Sequence, residues 1–223
     1  MFDITKLLLR IPNALTKDEC EKLIQEYDDS LSNIEVSIDS TNLKQKEATF
    51  KAFEVQPYSP TFDFIKQKTK KVVNRYTKYL ASSGLFHKLM KENFMFSHKY
   101  RILKYGTEAK IHPHTDHSPF TYGSITFNLN DDYEGGEFSF FHDNYRIKLK
   151  QGEAIVFPAD YFWIHEVKPI TKGVRYSLNS FLGSCPHGVR MDVMKLYGEL
   201  MEYYFDNIPL NEMLGPYDEY DRY

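Results

Sequence analysis

The sequence predicts an α+β protein, mainly β, in which a two-sheet sandwich or jelly roll is buttressed by helices on one side. Three observations carry that expectation. Two segments before residue 84 repeat their apolar residues at helical spacing. From Phe94 the period changes to strand-like alternation. Short strand-like runs then follow at close spacing, separated by turn residues. The 223 residues suffice for one domain with a sizeable core, and no repeat or linker divides them. The expected organisation is a helical N-terminal support over about 13–92, a β core over about 93–184, and a C-terminal helix and tail over 189–223.

Residues 2–12 read as an entry segment or edge strand closed by Pro12. Thr16 and Glu19 then form a capping box, and Cys20, Leu23, Ile24, Tyr27 and Leu31 make the apolar stripe of a first helix. Residues 32–56 are polar and without a clear period, and read as a long loop, either solvated or closing over a site. Ser59-Pro60 is an N-cap and first-turn pair, and Phe62, Ile65, Val72, Val73, Tyr76, Tyr79 and Leu80 line a second helix that ends at Ser83-Gly84. Its lysines at 66, 68, 70, 71 and 78 lie opposite that stripe, on a solvated face. Strands are expected from Phe94 to Leu103, Tyr122 to Asn130, Gly136 to Phe141, Tyr145 to Leu149, Ala154 to Phe157 and Val174 to Leu182, with a hairpin turn at His142-Asp143-Asn144. After Gly188, Met194, Tyr197, Met201 and Tyr204 recur at helical spacing.

A net charge of −3 and a pI near 6.2 give no support for a nucleic-acid or membrane partner. No apolar run approaches the ~20 residues of a membrane span, and Leu7-Leu8-Leu9 is too short for a signal-peptide core. A reducing, cytoplasm-like location is expected. Two cysteines, Cys20 and Cys185, are too few for a disulfide framework. Abundant aromatic residues (17 Tyr and 17 Phe, but one Trp) suit a β-rich core.

His112-Pro113-His114-Thr115-Asp116-His117 is the densest cluster of chemistry in the chain. On an extended strand His114 and Asp116 point the same way, and His165 arrives from another strand-like run, Phe162 to Val167. Two histidines and one carboxylate match the facial triad of non-haem Fe(II) oxygenases, which leaves coordination positions open. A His112–His114 pair also satisfies strand parity, but it leaves Asp116 without a role. His87, His98, His142 and His187 have no partner at ligand spacing. Arg175 lies ten residues beyond His165, and a guanidinium grips carboxylates bidentately. Trp163, by parity, either flanks His165 or packs in the core. Phe120, Tyr122, Tyr161 and Phe162 are candidates to line a substrate groove.

His-x-Asp, the distal His165 and Arg175-x-Ser177 together resemble the Fe(II)/2-oxoglutarate-dependent dioxygenases. Tyr105-Gly106, Gly135-Gly136-Glu137-Phe138, Gly152 to Pro158 and His165 to Ile170 extend the likeness to the prolyl 4-hydroxylase-like branch over about residues 94–183. The resemblance implies a double-stranded β-helix core, and Fe(II) held by His114, Asp116 and His165. It also implies 2-oxoglutarate anchored by Arg175 and Ser177, O2 as second cosubstrate, and ascorbate as an accessory reductant. Tyr105 is similar to a tyrosine that bonds the cosubstrate, and Asn128 sits where relatives place a further cosubstrate contact. Two positions depart from the pattern: Ile111 stands where the branch often has Tyr, and Arg175 where collagen-type relatives carry Lys.

The activity so implied is hydroxylation of an unactivated C–H bond, with a prolyl residue in a peptide or protein as the first substrate expectation. Alternatives are a free amino acid or other small molecule, a non-catalytic metal-binding jelly roll, and a Zn hydrolase using the same ligands. Arg175 and Ser177 argue against the non-catalytic reading, because a structural metal has no use for a carboxylate clamp.

Overall fold

A computed structural model describes residues 3–30, 34–38, 48–57, 59–85, 94, 96–118 and 121–184. The C-terminal helix expected after Gly188, together with Cys185, His87, His187 and Phe120, lies outside the described residues.

The entry segment is a 3-10 turn (Ile4–Leu7) followed by the edge strand β1 (Leu9–Ile11). Helix α1 (Lys17–Asp29) starts at the expected capping box: Glu19 N–H donates to Thr16 Oγ1 at 3.3 Å, and Thr16 N–H donates to Glu19 Oε2 at 2.9 Å. Gly152, at φ +78°, receives the chain ahead of α1; its carbonyl accepts from the Ala14 and Leu15 N–H groups, and an added Cβ there would meet Leu15 O at 2.3 Å. Helix α2 (Pro60–Ser82) starts at Ser59, whose side chain accepts from the Phe62 N–H. Lys68 on α2 pairs with both carboxylate oxygens of Glu19 on α1, which joins the two helices through one member of the lysine face.

The strands that follow are β2 (Ile34–Ile38), β3 (Ala48–Glu54), β4 (Phe96–Tyr105), β5 (Ile111–His114), β6 (Thr121–Asn128), β7 (Glu134–Gly135), β8 (Phe138–Phe140), β9 (Tyr145–Ile147), β10 (Ala154–Pro158), β11 (His165–Val167), β12 (Ile170–Lys172) and β13 (Arg175–Gly183). They form a seven-stranded sheet of order β1-β10-β6-β13-β4-β3-β2 and a four-stranded sheet of order β5-β11-β8-β9; β12 and β7 pair separately. Every pairing is antiparallel. The larger sheet is covered on both faces. Alternate residues such as Ile125, Phe127, Leu178 and Leu182 pack with the buried sides of α1 and α2, while Leu103, Tyr105, Ile155 and Phe157 pack with Phe138, Phe140, Trp163 and Val167 toward the smaller sheet. Burial on two faces is why β6, β10 and β13 read as nearly continuous buried runs. This is the helix-buttressed jelly roll expected.

Residues 32–56 differ from the expectation of a long loop. Two strands, β2 and β3, come from this stretch and extend the larger sheet beyond β4. The strands themselves alternate apolar residues (Ile34, Val36 and Ile38; Phe50, Ala52), but the polar run between them masked that period, and only pairing of β3 to β4 fixes their place in the sheet. Residues 39–47, between them, lie outside the described residues, as does any lid there. The support over 13–92 thus contributes strands as well as helices.

Candidate metal and 2-oxoglutarate site

His114 closes β5 and His165 opens β11, and the two are direct antiparallel partners. Their rings lie 4.3 Å apart between centroids. His114 Nδ1 bonds the His112 carbonyl at 2.8 Å, and His165 Nδ1 bonds the Trp163 carbonyl at 3.0 Å. A carbonyl only accepts, so each Nδ1 carries the proton and each Nε2 presents its lone pair inward.

Asp116 lies two residues past the end of β5, so strand parity is not what aims it. Ser124 Oγ, on β6, donates to Asp116 Oδ2 at 2.5 Å and carries the carboxylate against the histidines. The His114 Nε2–Oδ1 and His165 Nε2–Oδ2 separations are both 3.4 Å. The ligand atoms of His114, Asp116 and His165 all lie within 4.8 Å of one another, the one such metal-competent group among the described residues. His112 is outside it and contributes its carbonyl, which decides against the His-x-His pairing. Burial lowers the pKa of His165 and keeps its imidazole neutral. Burial opposes ionisation of Asp116, but positive charge at the His165 and His114 Nε2 atoms, whether a proton or a bound cation, and the Ser124 hydroxyl outweigh it and hold the carboxyl well below the usual range. Two neutral nitrogen donors and one carboxylate form a compact set with one negative charge, which suits a divalent cation with open positions.

Arg175 opens β13 and is 1% exposed. Its guanidinium sits 4.9 Å from the Tyr105 ring centroid and 5.2 Å from that of Phe138. Nε donates to Asn128 Oδ1 at 3.3 Å, while Nη1 is buried without a hydrogen-bond partner. Among the described residues no carboxylate forms an ion pair with Arg175. Gly136 (φ +68°) leaves room for it, since an added Cβ would come within 3.2 Å of Arg175 Cδ and 2.6 Å of Ile170 Cδ1. A buried guanidinium with an unsatisfied donor is costly unless an anion completes it. The residues present therefore fit a bound carboxylate at this end of the pocket.

Tyr105 pairs in register with Arg175 and is buried, which raises its hydroxyl pKa against the opposing pull of the Arg175 cation. Ser177 is fully buried and donates to Asn179 Oδ1 at 3.1 Å. Asn128 uses all its hydrogen-bonding capacity within the protein. Nδ2 donates to the Asn130 and Leu149 carbonyls, and Oδ1 accepts from Tyr133 and Arg175. Trp163 is buried against Phe140 and Phe141, so of the two readings left open it is core. Tyr161 (68% exposed) and Phe162 (76%) stand on the turn that leads to His165, with the His117 ring tilted against that of Tyr161 at 4.0 Å between centroids. Tyr122 is also exposed, and His142 projects from its turn. Ile111 packs at the edge of the inter-sheet core.

Sequence reading missed Ser124, Tyr133 and Phe138. Ser124 was findable in principle: it shares strand parity with Asn128 and so faces the site. Phe138 closes the Gly135-Gly136-Glu137-Phe138 segment but carried no site role there, and no motif marked Tyr133.

Comparison with known proteins agrees with this geometry. A family model described as the 2OG-Fe(II) oxygenase superfamily matches residues 100–183. Among named proteins, a multifunctional procollagen lysine hydroxylase and glycosyltransferase of Caenorhabditis elegans is 31% identical over 100 residues, covering 44% of this chain and 13% of that protein. A PKHD-type hydroxylase of a Synechococcus strain is 36% identical over 86 residues, covering 35% of this chain and 38% of that one. The match therefore spans well under half of either relative. Among solved structures, a Trichoplax adhaerens prolyl hydroxylase in complex with a hypoxia inducible factor peptide fragment superposes with a TM-score of 0.63 at 16% identity, covering 81% of this chain and 84% of that one. A Pseudomonas putida prolyl-4-hydroxylase gives 0.60 at 15% identity, covering 81% and 94%. The viral collagen prolyl hydroxylase of Paramecium Bursaria Chlorella virus-1, in a 2OG complex, gives 0.60 at 16% identity, covering 80% and 97%. These likenesses show the fold. The family implies Fe(II) and 2-oxoglutarate, and the His114, Asp116 and His165 triad fits iron. Over residues 100–183 this chain is similar to the 2OG-Fe(II) oxygenase superfamily.

Proposed function

We propose that this dioxygenase hydroxylates an unactivated C–H bond of a prolyl residue in a peptide or protein. The observation that carries the cosubstrate half of this reading is the buried Arg175 guanidinium, with Nη1 unpartnered and no carboxylate paired to it among the described residues. In this reading His114, Asp116 and His165 hold Fe(II), and Arg175 takes the far carboxylate of 2-oxoglutarate, helped by the Ser177 and Tyr105 hydroxyls. Asn128, already saturated, orients Arg175 through Nε in place of the direct cosubstrate contact expected from sequence. Bound iron with 2-oxoglutarate and O2 supplies the oxidative chemistry, with succinate and CO2 as coproducts. The protein's own part is to orient and to keep the pocket dry: Ser124 fixes Asp116, the His112 and Trp163 carbonyls fix the imidazoles, and Phe138 and Tyr105 shield the Arg175 end.

The prolyl assignment rests on the structural neighbours, which include a prolyl hydroxylase in complex with a peptide fragment and a collagen prolyl hydroxylase. A lysyl residue is the second reading, because the C. elegans relative is a procollagen lysine hydroxylase. A cytoplasm-like location and ascorbate dependence remain part of the proposal. The test is succinate formation by purified protein with Fe(II), 2-oxoglutarate and oxygen, against pooled proline- and lysine-containing peptides, with His114→Ala as the blank. Succinate that rises with one proline peptide supports the proposal. A response to lysine peptides alone moves the assignment to lysyl. A response to neither, with succinate above the blank, points to a small molecule.

A further inference from the structure

Strand register sorts the inner face of the larger sheet into rows. Arg175 stands beside Tyr105. The next row inward is Asn128, Ser177, Leu103 and Ala52, the one after is Thr126, Asn179, Arg101 and Glu54, and the last pairs Ser124 with Phe181. Residues paired across antiparallel strands share a face. Arg101 therefore stands on the same face of the sheet as Arg175, one row from the serine that holds Asp116.

Arg101 is a second guanidinium without a stated duty. Its Nε is buried and has no hydrogen-bond partner, and its guanidinium carbon lies 5.6 Å from the Phe181 ring centroid. Glu54 is its cross-strand neighbour, yet no ion pair joins them, nor does any other carboxylate among the described residues pair with Arg101. The charges of the proposed reaction already balance without it. A divalent cation and Arg175 bring three positive charges; Asp116 and the two carboxylates of 2-oxoglutarate bring three negative. Arg101 is surplus to that set and half-buried, where an unpaired charge is expensive.

We propose that Arg101 is a specificity-determining residue that grips a carboxylate of the primary substrate. The planar fork and the stripped Nε favour a planar anion over a lone carbonyl. This inference rests on the oxygenase reading and adds to it the charge of the substrate. That carboxylate has two sources, an acidic side chain beside the reacting residue of a peptide, or the α-carboxylate of a free amino acid.

The experiment compares matched substrate pairs in the succinate assay: capped proline tripeptides with Glu or Gln beside the proline, and free L-proline against L-prolinamide. Wild type is expected to favour the carboxylate member of one pair by roughly tenfold or more in kcat/KM, the size of a charged hydrogen bond. Which pair shows it identifies the source. In Arg101→Gln that preference collapses toward unity, and Arg101→Lys, which keeps the charge, retains part of it. The KM for 2-oxoglutarate and the thermal shift that 2-oxoglutarate induces should move less than twofold and by no more than about a degree, respectively; the thermal shift also reports whether each variant is folded. Preference that persists in both variants overturns the proposal, as does wild type that ignores the carboxylate in every pair. A rise in 2-oxoglutarate KM matching the substrate effect would put Arg101 in the cosubstrate clamp and overturn it too. Wild type that neither binds 2-oxoglutarate nor forms succinate refutes the oxygenase reading itself, before any Arg101 variant is compared.

Discussion

The two faces of the larger sheet are made by the same strands and serve opposite ends. On β6 and β13, Ile125, Phe127, Leu178 and Leu182 point to the helices and are fully buried among apolar neighbours. One residue along in each case, Ser124, Thr126, Asn128, Arg175, Ser177 and Asn179 point to the smaller sheet. The outer face gains stability from burial, at about 25 cal/mol per Å² of apolar surface. The inner face buries polar groups and the Arg175 cation at a cost, half-buries Arg101, and leaves Arg175 Nη1 and Arg101 Nε unsatisfied. The lesson is that the helices do more than cover a sheet. Their contacts hold rigid a surface whose other side would be a poor core on its own.

The largest expected effect lies on the inner face and is chemical. Asp116→Ala removes the triad's one charge and should cut iron-dependent succinate formation by more than the roughly 10–100-fold typical of losing a supporting partner; activity within tenfold of wild type would mean that the metal is held elsewhere. Next comes the outer face, where Leu178→Ala should cost about 2–5 kcal/mol in denaturant unfolding and leave the 2-oxoglutarate KM of the folded fraction unchanged. A specific loss of 2-oxoglutarate binding there would break the division between the faces.

Arg175 sharpens the division from the other side. Arg175→Ala should weaken 2-oxoglutarate binding by ~1.5–3 kcal/mol or more while iron binding survives, and equal loss of both would reassign its role. Arg175→Met should leave the ligand-free protein no less stable than wild type, since an apolar chain of similar length replaces a buried unpaired charge. A drop of about 2 kcal/mol or more in that variant would show that the guanidinium stabilises the fold and that the inner face is not buried at a cost there. The smallest effect is that of Ser124→Ala, which should lower metal affinity by roughly 10–100-fold with little change in 2-oxoglutarate KM at saturating iron. Isothermal titration with Mn(II) reads it directly, and unchanged affinity would leave Asp116 positioned by the histidines alone.

Much of the metal site was legible because its spacing is a one-dimensional signal. His114, Asp116, His165 and Arg175 stand at intervals that short strands convert into proximity, and the capping box at Thr16 and the Ser59-Pro60 start mark helices through bonds within a few residues. Each of these is a local matter. Chain composition likewise announced a β-rich core through its aromatics.

What tertiary structure decided is everything that depends on a partner far along the chain. The polar stretch 32–56 became β2 and β3 because β4 offered a backbone edge to pair with. Trp163 became core because Phe140 and Phe141 pack against it, and Asn128 became saturated because Leu149 and Tyr133 arrive from other segments. Asp116, beyond the end of its strand, is aimed by a hydroxyl from β6. Arg101 read as one more charged residue on a strand until the register placed it in a row with Asn179 and Glu54. Spacing along a chain specifies which residues turn to the same side; which of them are left without a partner there is settled only when the strands pair.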